Sequence, residues 1–189
     1  MKIELKVPTS YDDITIGEYQ SIQEIYERVK TKELAALECI ALLCEVDKKK
    51  MRHIKQVDID KVVSMMAFLW QPVDKSQYEL KRTFTHEGVK YGFIPDMSNL
   101  SVGEFADLDN YANDEKNLHK VMSILYRPVI RQVGEFYDIE PYAPQPRFAE
   151  TARNFPMSIA MGALVFFYAI AKTLSQDSET YLKGVKGTV

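Results

Sequence analysis

Ile14-Thr15-Ile16-Gly17-Glu18-Tyr19 and Leu100-Ser101-Val102-Gly103-Glu104-Phe105 agree in residue type at every place. Each carries a hydroxyl residue and, three places on, a glutamate. That is the spacing of a capping box, in which the hydroxyl accepts from the backbone N–H at the third helical position and the carboxylate accepts from the N–H of the capping residue. Two helices are therefore expected to begin at these points. Before each lies a polar loop of nearly equal length, and before that an apolar alternation closed by a proline: Ile3, Leu5 and Val7 ahead of Pro8, and Val89, Tyr91 and Phe93 ahead of Pro95. The echo continues downstream, since Leu37, Ile40 and Leu43 can be laid over Leu118, Val121 and Ile124. The pattern fits an internal strand, loop, helix, helix duplication, although capping boxes recurring in unrelated helices would also produce it.

Around these two anchors the apolar spacing is mostly helical. Tyr19, Ile22, Tyr26 and Val29 make a stripe on the first helix, and Leu34, Leu37, Ile40 and Leu43 make one on a second helix from about Lys32 to Cys44. Asp47 can cap a short basic turn. Asp58 then opens a third long helix with Val62, Met65, Met66 and Leu69 inward, Trp70 closing the core and Pro72 stopping the chain. Leu80, Arg82 and Phe84, followed by Val89, Tyr91 and Phe93, alternate about His86-Glu87-Gly88, the mark of a β-hairpin. After the second capping box the helix continues through Leu108 and Tyr111, and another covers Asn117 to Tyr126 until Pro128 bends or ends it. Pro141, Pro144 and Pro146 exclude regular helix or central strand from Tyr137 to Phe148. A last helix is expected from Pro156 to about Leu182, with Gly184 to Val189 fraying. The fold class expected is α+β, mainly α: a helical bundle with a small antiparallel sheet made of the N-terminal strand plus the central hairpin. The chain reads as a single domain, 1–189, with room for two lobes at 1–73 and 78–189.

Of the 189 residues, 46% are hydrophobic and 27% charged, enough for one good core. Lys and Arg number 24 against 27 Asp and Glu, a net charge of -3, so no overall field draws the chain to nucleic acid or anionic lipid. Cys39 and Cys44 turn to different faces of one helical stretch and read as small buried thiols of a reducing compartment. The opening MKIELKVP has no apolar h-region and is not read as a signal peptide.

The residue types that carry chemistry are scattered. His53, His86 and His119 form no His-x-x-x-His pair and the cysteines no Cys-x-x-Cys pair, so no metal site is expected. Asp107-Leu108-Asp109-Asn110 lacks the turn glycine and closing glutamate of a calcium loop. Gly17 and Gly103 stand alone, too few for a phosphate loop. No serine has a Gly-x-Ser-x-Gly setting, and a mid-helix thiol is inert. Asp58 and Asp60 complement a helix N-terminus without further role. The basic run Lys48, Lys49, Lys50, Arg52 and Lys55 reads as an exposed turn. No catalytic residue, metal or cofactor is expected; an enzyme would need a pocket holding a strongly perturbed titratable group.

Asn154 to Ala171 is uncharged and just reaches the length of a membrane span. Pro156, the small residues Ser158, Ala160, Gly162 and Ala163, and the want of flanking basic clusters argue instead for a helix covered by the core or by a subunit interface. Ser158 and Gly162 would permit close helix contact. With the exposed aromatics expected nearby, the candidate partner-binding residues are Tyr137, Tyr142, Phe148, Ser158, Gly162 and Phe166.

At Ile14 to Tyr19, Glu33 to Leu69 and Tyr91 to Tyr126 the chain resembles small proteins of bacteriophage structural gene clusters, including tail-assembly-chaperone-type proteins. The carrying residues are the capped Thr-Ile-Gly-Glu-Tyr opening, the Leu-rich helix, the turn before Val57-Asp58-Ile59-Asp60, and Phe93-Ile94-Pro95 leading to the second box. The resemblance implies a non-enzymatic assembly or virion protein in the host cytoplasm or the particle. It would bind a larger phage structural protein or copies of itself, with no specific nucleic acid and no membrane. The other reading is a phage or prophage regulator that binds and inhibits a host protein, which the acidic balance permits and which predicts a stable free monomer.

Overall fold

Both capping boxes form. In the computed structural model, which describes residues 5–51, 53–143 and 146–167, Thr15 Oγ1 accepts from Glu18 N–H while the Glu18 carboxylate accepts from Thr15 N–H at 2.7 Å. Ser101 and Glu104 repeat the exchange. The boxes open α1 (Ile16–Arg28) and α5 (Val102–Tyr111). Each is followed by a second helix, α2 (Lys32–Leu43) after the first and α6 (Leu118–Leu125) after the second, so the echo extends to helix order. It stops there: β2 (Val89–Phe93) precedes α5 as a sheet strand, but residues 5–9 ahead of α1 are not a strand. Residues 1–4 of the expected N-terminal strand lie outside the described residues.

The architecture is α+β, mainly α, with one small antiparallel sheet in the order β1-β2-β3-β4. The central hairpin joins β1 (Thr83–His86) to β2 through Glu87 and Gly88, both at positive φ as a tight two-residue turn demands. A second hairpin completes the sheet: β3 (Tyr126–Val133) and β4 (Phe136–Ile139) meet at Gly134, φ 60°. α6 has ended at Leu125, before Pro128, which sits in β3, and the stretch from Tyr137, where neither regular helix nor central strand is expected, begins in the edge strand β4. Pro128 is tolerated because its position pairs with Tyr91 without needing its own N–H, and its carbonyl accepts from Glu140 N–H. Against the expectation that the three-proline stretch excludes regular helix, α7 (Pro146–Arg153) begins within it, with Pro146 at the first position, where no N–H is needed.

The last helix, α8, runs over 157–167 in the described residues; its expected continuation to Leu182 and the fraying of 184–189 fall outside them. The segment ahead of α1 is stitched to its start: Ile16 N–H bonds Phe155 O, Met157 N–H bonds Ile14 O and Ser158 N–H bonds Tyr11 O. Segments far apart in sequence thereby close one core. Phe155 lies at its centre, 4.8 Å from the Tyr91 ring and 4.9 Å from Phe84, while Tyr126 packs on Phe84 and Phe93 at 5.2 Å each. Buried residues from both expected lobes, including Ile40, Met66, Met122 and Met157, belong to this one cluster.

Helix faces are rotated from the sequence reading in two places. In α2 the buried residues are Ala35, Cys39, Ile40, Ala41 and Leu43, while Leu34 and Leu37 are exposed, because small side chains let α1 approach closely. In α4 (Gln56–Met65), which follows the single turn α3 (Lys48–Met51), Ile59 and Val62 are buried but Met65 is exposed, and Trp70 lies at the core's edge rather than closing it.

Candidate functional site

Among its apolar and charged side chains, α5 is turned inside out. Its one buried residue is Glu104, while Val102 and Phe105 are 88% and 65% exposed. The inversion has a local cause. Glu104 spends one carboxylate oxygen on the Ser101 cap and gives the other to Arg127 Nη2 of β3 at 2.6 Å, in a pair whose side chains are 8% and 12% exposed. Burial opposes the charge on Glu104, yet the Ser101 hydrogen bonds and the Arg127 cation together hold its carboxyl below the usual carboxylate range. Tyr142 anchors the same helix: its hydroxyl bonds the Asp107 carboxylate, and its ring lies near Gly103 and under the Arg127 guanidinium. Two polar ties thus hold α5 to β3 and to the loop after β4 and leave Val102 and Phe105 outward, while Leu108 and Tyr111 pack partly against the core.

Phe105 faces a groove of about 830 Å³. Phe105, Leu108 and Tyr111 of α5 form one wall, and Met157, Met161, Leu164 and Phe167 of α8 the other; Leu118 and Val121 of α6 lie in the lining with Tyr19 of α1. Leu164 is 45% exposed. The charged lining residues are Asp109, Asp114 and Glu115. Unlike scattered surface leucines, two helical walls offering apolar side chains to one groove form a surface that binding covers.

The residues singled out from sequence do not gather there. Tyr137 lies on the sheet: its ring fills the space above Gly92, where a Cβ would meet Tyr137 Cε2 at 2.5 Å, and its hydroxyl donates to Phe93 O and Arg82 O. Tyr142 is the α5 anchor. Phe148 is half-buried on α7, with the Arg147 guanidinium 4.8 Å from its ring. Ser158 is buried and its hydroxyl bonds Asp12. Gly162 does permit a close approach, but to the backbone of Glu79 and Leu80 rather than to a helix. Phe166 packs on Phe93, with centroids 5.6 Å apart. Tyr137, Tyr142, Ser158, Gly162 and Phe166 thus each have a contact within the fold.

Groups suited to catalysis are dispersed in the same way. Among the described residues no three His, Cys, Asp or Glu side chains converge as a metal site would require. Burial pushes the Cys39 thiol up to about 11, where it is a poor nucleophile. His119, on α6, is buried, and burial together with Arg153 lowers its pKa. Lys49, Lys50 and Lys55 are exposed around α3, as an accessible turn requires. Among the described residues no helix is long and apolar enough to cross a membrane.

Compared with known proteins, the chain matches no family model, no curated protein and no solved structure.

Proposed function

We propose that this protein is a non-enzymatic bacteriophage assembly or virion component that works by docking a larger structural protein in the α5–α8 groove. The observation that supports docking is the orientation of α5: a helix fixed through a buried ion pair while Phe105, in the groove wall, stands in solvent. Leaving such side chains uncovered forgoes stabilisation, since full burial of a large apolar side chain contributes about 1.5–3 kcal/mol. A partner that covers Phe105 and Leu164 recovers part of it, as anchor residues of protein interfaces do. The phage context comes from the sequence resemblance.

The test is co-expression with the products of the genes flanking its own, followed by the absolute mass of the purified complex by light scattering. A defined heterocomplex that Phe105→Ser and Leu164→Ser weaken supports the reading. Both side chains are exposed, so the variants are expected to fold. A complex with none of these products, or one indifferent to both substitutions, refutes it.

A further inference from the structure

We infer that the groove's occupant is a helical segment of a partner protein whose apolar stripe ends in lysines or arginines; this rests on the docking reading above. The shape argues for a helix. Phe105 and Leu108 on α5, and Met161 and Leu164 on α8, recur at the three-residue spacing of helical ridges, and the channel between two such ridged walls accepts the ridge of a third helix. The charge argues for basic ends. Asp109, Asp114 and Glu115 are exposed, while Lys and Arg are missing from the lining identified among the described residues. Asp109 lies in the last turn of α5, whose last carbonyls add partial negative charge, and Asp114 and Glu115 follow at the start of the next turn. Two cations border the lining without belonging to it: Lys116 bonds Glu27 at 2.8 Å and is also drawn to Asp114, and Lys120 sits 4.7 Å from the centre of the Tyr111 ring. An acidic helix would meet like charge at that end, whereas lysines would be drawn to it and would fix the direction in which the helix lies.

The experiment compares two fluorescein-labelled helical peptides that share one leucine stripe, one flanked by lysines and the other by glutamates, titrated by anisotropy against the full chain at low and high salt. The lysine peptide is expected to bind at least about tenfold more tightly, with an advantage that shrinks as salt screens it. Neutralising the carboxylates in D109N/D114N/E115Q should lower its affinity about tenfold, the sum of three modest surface pairs. Asn at 114 can still accept the Lys116 N–H that caps the turn before α6. Phe105→Ser and Leu164→Ser should weaken both peptides.

Equal binding of the two peptides, lost in Phe105→Ser, would overturn the basic occupant and leave the docking reading standing. Lysine-peptide binding that survives both serine variants would place the contact outside the groove and overturn both. If neither peptide binds, sedimentation decides where the groove goes: a dimer dissolved by Phe105→Ser assigns it to a second copy, and a monomer assigns it to the chain itself. Either result overturns the proposal.

Discussion

Replacing Gly162 by alanine sets two effects of opposite sign against each other. In an open helix the change stabilises by about 1 kcal/mol, because alanine has far less backbone freedom to lose. In α8 the new Cβ would lie 2.3 Å from the Glu79 carbonyl oxygen, 3.0 Å from its carbon and 3.5 Å from Leu80 Cα. A carbon and a carbonyl oxygen settle at about 3.3 Å, so the two segments must part by about 1 Å. The obstacle is backbone and cannot swing aside as a side chain would. Overpacking of this kind costs about 1–3 kcal/mol, and with α8 held by Ile159, Ala160 and Ala163 in the core we place it at the upper end. The net expectation is a loss of about 1–2 kcal/mol, or about 3–6 °C in Tm for a chain of this size. Gly17→Ala and Gly103→Ala are the controls, since their Cβ atoms would first meet Arg153 O at 3.4 Å and Tyr142 Cε1 at 3.5 Å, ordinary contacts. Both should be neutral or stabilising by up to about 1 kcal/mol. Urea unfolding followed by far-UV circular dichroism separates them, provided the slope with denaturant is unchanged. If Gly162→Ala is as stable as the parent, or the three variants behave alike, the close packing of α8 against 79–80 is wrong.

Arg127→Met strands the buried Glu104 charge and should cost about 3 kcal/mol at pH 7. Because the folded Glu104 carboxyl titrates below its ordinary 4.5, its stabilisation is present above that pH and fades as pH falls through the lower folded value. Denaturation midpoints across pH 3–7 should therefore show the variant's deficit shrinking in acid, and a deficit independent of pH would refute the ion pair. His119 titrates below its ordinary 6.5 when folded, so it resists a proton that the unfolded chain accepts. Stability should fall as pH drops below about 6.5, with a limiting slope of about 1.4 kcal/mol per pH unit for one proton, and His119→Gln should flatten that fall; identical pH profiles would exclude it. Tyr137→Phe removes the hydroxyl shared by Phe93 O and Arg82 O and should cost about 1–2 kcal/mol of stability while sparing peptide binding. The reverse result, intact stability with lost binding, would return Tyr137 to the interface.

What could be read from the chain was what neighbouring residues decide among themselves. A hydroxyl and a glutamate three places apart satisfy two orphaned N–H groups without outside help, so both capping boxes and the starts of α1 and α5 were legible, as was the Glu87-Gly88 hairpin. The β3–β4 hairpin had a comparable local signal, Val-Ile-Arg-Gln-Val before Gly134-Glu135 and Phe-Tyr-Asp-Ile after it, which the proline-rich texture around it obscured. Which face of a helix is buried is a different kind of fact. Leu34 and Leu37 lie outward because Ala35 and Cys39 allow the closer approach, and Glu104 lies inward because Arg127, 23 residues away, meets it there. The candidate site depends on that second kind of fact throughout: Phe105 is exposed only because its helix is pinned by its charged side, while Tyr137, Tyr142 and Phe166 are engaged by partners distant in sequence. Capping and turn chemistry act over three or four residues and are written in order along the chain; burial is settled by long-range contacts, and only the folded chain brings those together.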